Sequence, residues 1–179
     1  MSQAISIISK SRKSVLLGTS ALVCLALATP VMADDFVITS SDGSTNGVGT
    51  TNGATAAAIA ANDINGSHTV SLGIALTTTA ANEGIETTGG TNKVTVSEAG
   101  SITTGTGNNA YGIYNDGALN TTTVSGSITT EGNYAYGIVN YGDSNTTTVS
   151  GSIKTEGNNS HGIRNRGDDN VTTISGTVK

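Results

Sequence analysis

Few side chains in this chain are of the type and spacing that do chemistry. Histidine occurs at His68 and His161 only. His161 fills a slot that Tyr111 and Tyr136 fill in neighbouring stretches, so it reads as a polar substitution at a core edge, not as a base or ligand. Ser and Thr abound, but none is paired with a recognisable base, and general base catalysis needs that pairing. Asp143 and Asp168 occupy equivalent positions, but Ala118 occupies the third, so they make no metal-ligand set. A Ca²⁺-binding roll would need Gly-Gly-x-Gly-x-Asp nonapeptides, and the sequence has none. No catalytic, cofactor-binding or metal-binding residue is therefore expected.

Three short motifs invite a functional reading. Arg166-Gly167-Asp168 spells an integrin-type tripeptide. Its slots hold Asp116-Gly117-Ala118 and Tyr141-Gly142-Asp143 elsewhere, which makes the Gly a recurrent turn and its neighbours drifting surface residues. Asn120, Asn145 and Asn170 open glycosylation sequons, but these read as by-products of a repeated Asn-Thr-Thr-Thr motif. Thr121-x-Thr123 and Thr146-x-Thr148 would point outward and stack into a flat hydroxyl array, the kind of surface that ice-binding solenoids use. Lys93-x-Thr95 and Val171-x-Thr173 interrupt that array.

All of these motifs sit on one repeated unit. Residues 100–125, 126–150 and 151–175 are near copies of GSITTEGNxAYGIxNxGxxNTTTVS, and a partial copy occupies 176–179. A period of about 25 residues in β-forming sequence points to an all-β solenoid, a parallel β-helix in which each repeat is one stacked coil. A fainter copy runs through Val70, Leu76, Ile85 and Val94, with two residues inserted at Glu98-Ala99. Four to five coils are thus expected over 68–179. An irregular cap is expected over 34–67, where residues 56–61 could form a helical turn.

Side chains on a strand alternate between its two faces, and the copies assign those faces. Val124, Val149 and Ile174 recur, as do Ile102, Ile128, Ile153 and Val178, and Ile113, Ile138 and Ile163. These slots accept only Val or Ile and are read as buried columns. Asn115, Asn140 and Asn165 form a further inward column, with Tyr111, Tyr136 and His161 at another corner. Tyr114, Val139 and Arg164 share one slot; a position that accepts all three is read as solvated. With Arg166, Gly167 and Asp168, these residues are the candidate surface contacts.

Composition narrows the classes further. Lys10, Arg12 and Lys13, an apolar run over 15–28, Pro30 and the small-x-small Val31-Met32-Ala33 make residues 1–33 a secretory signal peptide. The apolar run is shorter than the roughly 18 residues a spanning helix needs. Beyond residue 33, five Lys and Arg stand against thirteen acids, 5 − 13 = −8. That charge argues against nucleic acid and anionic membranes as partners. The one cysteine, Cys24, lies in the signal, so the mature chain holds no disulfide. Low aromatic content and net acidity also fit disorder, but disordered segments do not hold Ile, Val and Gly in register from copy to copy.

The signal, the Asp34-Asp35-Phe36 start and the GSITT…AYGI…NTTTVS coils together resemble the N-terminal passenger region of bacterial autotransporters (type V secretion). The resemblance runs along residues 1–179 and implies a right-handed parallel β-helix outside the cell. The partners it implies are the Sec export machinery and an outer-membrane translocation barrel, with a ligand on a host or neighbouring cell as a further partner. It implies a non-enzymatic stalk or adhesin at the cell surface, associated with the outer membrane or secreted. No barrel strands appear before Lys179, so a fragment, a truncated gene or a separate translocator is implied. A self-standing secreted β-solenoid, ice-binding included, is the alternative.

Overall fold

A computed structural model of the chain describes residues 34–41, 47–51, 59–60, 64–78 and 83–179. The expected signal peptide, residues 1–33, lies outside the described residues. From His68 onward the chain winds as a right-handed parallel β-helix of about four coils, and the described residues include no helix.

Each coil has three short strands. The first coil is β5 (His68–Leu72), β6 (Ala75–Thr77) and β7 (Ile85–Thr88). The second is β8 (Lys93–Val96), β9 (Ser101–Thr104) and β10 (Ile113–Asp116). The third is β11 (Thr121–Val124), β12 (Ser127–Thr130) and β13 (Ile138–Tyr141). The fourth is β14 (Thr146–Val149), β15 (Ser152–Thr155) and β16 (Ile163–Arg166), followed by β17 (Val171–Ile174) and β18 (Thr177–Val178). Equivalent strands pair in parallel and in register, Thr121 on Thr146, Ile128 on Ile153, Ile138 on Ile163. Sheet 1 carries β5, β8, β11, β14 and β17, sheet 2 carries β6, β9, β12, β15 and β18, and sheet 3 carries β7, β10, β13 and β16. The Glu98-Ala99 insertion falls, as read, in the turn between β8 and β9.

The cap is more regular than its sequence suggests. β1 (Asp34–Ser41) pairs in parallel with β5, and β2 (Gly47–Thr51) and β3 (Ile59–Ala60) extend the sheet antiparallel. β4 (Ile64–Asn65) lies beside β7 at the edge of sheet 3. The residues read as an irregular cap thus contribute strands, and Ile38 joins the core at 2% exposure. The helical turn expected over 56–61 is replaced by extended backbone at Ile59–Ala60; the rest of that run lies outside the described residues.

The interior is built of columns, because in-register parallel stacking sets like on like. Leu72, Val96, Val124 and Val149 form one; Leu76, Ile102, Ile128 and Ile153 a second; Ile85, Ile113 and Ile138 a third, all buried. Gly112 and Gly137 precede the third column. A Cβ at Gly137 would sit 2.3 Å from Ile153 Cγ2 and 2.5 Å from the Gly162 carbonyl, so the coil passes there only without a side chain.

Two polar ladders run among the apolar columns. Thr87 Oγ1 donates to Asn115 Oδ1 at 3.0 Å, Asn115 Nδ2 to Asn140 Oδ1 at 2.8 Å, and Asn140 Nδ2 to Asn165 Oδ1 at 2.8 Å. Their second N–H groups reach Thr122 and Thr147 on the next strand at 2.9 and 3.0 Å. Every donor of these buried amides is used, as burial requires. The second ladder is Asn92, Asn120, Asn145 and Asn170. Each Nδ2 donates to the carbonyl three residues back, at Gly89, Gly117, Gly142 and Gly167. Each of Asn120, Asn145 and Asn170 accepts, at Oδ1, the backbone N–H of its counterpart one coil earlier.

The candidate surface on sheet 3

Alternation on sheet 3 gives two outward rows. Glu86, Tyr114, Val139 and Arg164 stack in the first, and Thr88, Asp116, Tyr141 and Arg166 in the second. The inward partners, Ile113, Asn115, Ile138 and Asn140, are at most 1% exposed. The face therefore runs from carboxylates on its first two coils through tyrosines to two arginines on its fourth.

A third row belongs to this surface, and its position corrects the sequence reading. Tyr111, Tyr136 and His161 lie outside the aliphatic core cluster, packed beside Tyr114 and Arg164; Tyr136 is buried at 6% exposure, Tyr111 half-buried and His161 exposed. The strand begins at Ile138, so the two-residue alternation does not extend back across Gly137 to Tyr136. The rings stack along the solenoid, with Tyr111–Tyr136 centroids at 5.5 Å and Tyr136–His161 at 5.4 Å, the planes within 7° and 11° of parallel. Tyr114 stacks on Tyr111 at 5.7 Å and meets Tyr141 obliquely at 5.7 Å.

Both arginines lean on this aromatic layer. The Arg164 guanidinium carbon lies 4.9 Å from the Tyr136 centroid, and that of Arg166 lies 4.7 Å from the Tyr141 centroid. Arg164 Nη1 donates to the Tyr136 phenol oxygen at 2.8 Å, and Arg166 Nη1 donates to that of Tyr141. The ion pair formed among the described residues is Lys154 with Glu156, on sheet 2, so neither arginine carries a carboxylate partner among them. Burial, then the neighbouring Tyr136, raises the Tyr111 phenol above its ordinary pKa; burial, then Asp116, does the same for Tyr114. Both remain hydroxyl donors at ordinary pH. Burial also raises the Glu83 carboxyl, one coil before Tyr111, against a smaller lowering by its own backbone hydrogen bond.

The six candidate contacts meet different fates. Tyr114 and Arg164 are part-exposed and Arg166 is exposed, as an outward row requires. Val139 is not a solvated residue: it is 1% exposed. Its row neighbours Tyr114 and Arg164 are long, and the Arg164 head folds toward Tyr136, so the small side chain between them is roofed over. Gly167 takes φ +137°, and a Cβ on it would meet the Gly142 carbonyl at 2.3 Å, which makes it a stacked turn as read. Asp168 is exposed, and its backbone N–H donates to Asp143 Oδ1 at 2.8 Å. The tripeptide is thus the end of a strand followed by a tight turn, with its Arg held against Tyr141.

The sequon asparagines are the functional-looking residues whose structural part the sequence reading missed. Asn120 and Asn145 are 1% exposed and belong to the second ladder. Their recurrence at one slot in every copy was the available signal, the same one that identified Asn115, Asn140 and Asn165.

The outer face of sheet 1 is plainer. Ser71, Thr95, Thr123, Thr148 and Thr173 form an unbroken rank of hydroxyls, beside a mixed rank of Thr69, Lys93, Thr121, Thr146 and Val171. His161 stacks on Tyr136, and His68 Nε2 lies 2.7 Å from the Asn65 carbonyl oxygen. Among the described residues, no three His, Cys, Asp or Glu side chains are grouped as metal ligands. No protein-family model, no curated protein and no solved structure matches the chain.

Proposed function

We propose that this protein is an exported passenger of the autotransporter type, a non-enzymatic β-solenoid that serves as a stalk or adhesin at the cell surface. The observation that carries the reading is the division of each strand. Its inward slots repeat as sealed columns, while its outward slots on sheet 3 change from acid to aromatic to Arg. Such a surface suits contacts spread over several coils, each weak and adding to its neighbours. The signal-like residues 1–33 and the absence of cysteine after Cys24 support export through the Sec machinery and then through an outer-membrane barrel. Attachment distributed in this way does not depend on Asp168, whose slot holds Ala118 one copy away.

The test is N-terminal sequencing of the protein recovered from the cell surface or medium. The mature chain is expected to begin at Asp34. A surface-bound chain that still contains Val15 would make the segment an anchor, and a chain confined to the cytoplasm would end the export reading.

The hydroxyl rank on sheet 1 favours a second reading, a self-standing secreted solenoid that binds ice. Lys93 and Val171 interrupt only one of its two ranks. Inhibition of ice recrystallisation that disappears in Thr123→Leu and Thr148→Leu would support it; no inhibition would exclude it.

A further inference from the structure

Arg164 and Arg166 project from the same face of β16, one on each outward row. The phenol beneath each guanidinium holds it by a cation–π contact and by an N–H···O bond. A free arginine loses side-chain freedom when it binds a ligand, and a pre-braced one loses less. Neither has a carboxylate partner among the described residues, although the chain beyond residue 33 carries thirteen acids against five bases. Two braced guanidiniums with unfilled donors make a receptor for a planar oxyanion, since the guanidinium fork matches a carboxylate in bidentate geometry.

The rest of the face limits what carries that oxyanion. Asp116 stands two strands away from Arg166 on the same row, roughly 10 Å at the inter-strand spacing, and Glu86 opens the row of Arg164. A densely charged polyanion along the face would be repelled by these carboxylates, as would an anionic membrane laid against it. A ligand with sparse carboxylates and many neutral hydroxyls fits throughout. Its acid would lie on the arginines, and its hydroxyls could donate to Asp116 and accept from Tyr114. The ring of Tyr136 is already packed by Tyr111, His161 and the Arg164 guanidinium, so hydrogen bonds and charge, not stacking on that ring, would hold the ligand.

We propose that Arg164 and Arg166, braced on Tyr136 and Tyr141, form the carboxylate-binding end of a site for an acidic glycan lying along the outer face of sheet 3. The inference rests on the adhesin reading only in that it supplies a ligand class for it.

The probe is sialyllactose, a trisaccharide with a single carboxylate, titrated into the full chain by calorimetry, with its carboxyl methyl ester as a neutral control of the same shape. The acid is expected to bind at least about tenfold more tightly than the ester, and binding should weaken as salt screens the charges. The double change Arg164→Gln with Arg166→Gln should reduce affinity by roughly tenfold or more. The corresponding Lys pair should fall between, because it keeps charge and loses the fork. Thr129→Ala, on the outer face of sheet 2, should bind as the unaltered protein does. Circular dichroism and melting of each variant check that the coils remain folded. Equal binding of acid and ester, or full affinity in the folded Gln pair, overturns the proposal. Tighter binding of tetraglutamate or of phosphatidylglycerol vesicles than of the glycan overturns it too. Cell attachment by a chain that binds no glycan sinks this proposal and leaves the adhesin reading standing. Glycan binding with the expected pattern but no cell attachment does the reverse.

Discussion

Ile138 and Val139 are adjacent on β13 and almost equally hidden, at 0% and 1% exposure, yet they are hidden by different things. Ile138 lies in a column between coils, enclosed by backbone and by Ile113 and Ile163, and nothing there can move aside. Val139 lies on the outer face under side chains that end in water. The comparison teaches that burial in a solenoid has two sources. One is the stack itself, and the other is a roof that long residues make over a short one.

Ile138→Asp tests the first source and should have the largest effect. A carboxylate there enters an aliphatic column without a hydrogen-bond partner, at a cost of several kcal/mol unless it takes up a proton. Coils that depend on their neighbours are only marginally stable to begin with. Loss of the cooperative thermal transition is expected, and a variant that melts as the parent does would remove the distinction altogether.

Val139→Asp tests the second source and should cost less, about 1–2 kcal/mol. The new carboxylate can turn toward solvent, and Arg164 is its row neighbour on the next coil. Removing that charge with Arg164→Gln should enlarge the loss, which a double-mutant cycle by chemical denaturation measures. A cost equal to that of Ile138→Asp would mean that the roof is as rigid as the core. No cost would mean that Val139 is solvated after all.

The slot of Val139 shows why the sequence told one side of the coil better than the other. Inward slots are constrained by one rule, that like residues stack, so Ile102, Ile128 and Ile153 announce themselves by recurrence alone. The Asn115 column was legible for the same reason. Outward slots obey no such rule, and variability there was taken for solvation. But Tyr, Val and Arg side by side are not three independent exposures, because the long pair covers the short member. The Tyr111–Tyr136 stack was misplaced because strand alternation was carried across Gly137, where the strand has not begun. Asn120 and Asn145 were visible as repeats, but as by-products of the Asn-Thr-Thr-Thr motif they were given no place in the fold. The cap had no internal copy to compare with, so its pairing with β5 left no periodic trace. The arginine–tyrosine contacts cross coils, with Arg164 28 residues from Tyr136, and no local pattern announces a contact of that range.

Glu83 extends the comparison to the first coil and should give the smallest effect. Its carboxyl is raised above the ordinary 4.5 chiefly by burial, with a smaller lowering from its own backbone hydrogen bond. The folded state therefore holds the proton more tightly than the unfolded state does. Such a group favours folding fully below its unfolded pKa, and that contribution is lost as pH rises through the folded value. At neutral pH the ionised carboxylate is thus a net burden on the fold. Glu83→Gln should raise the melting temperature at pH 7, and the gain should shrink to nothing as pH falls well below 4.5. The shift should be small because the group keeps substantial access to water, which screens it. A pH-independent gain would mean that Gln simply packs better. A loss at pH 7 would mean that the charge itself is held by a partner, and that the outer face is solvated at its first coil even though it is roofed at its third.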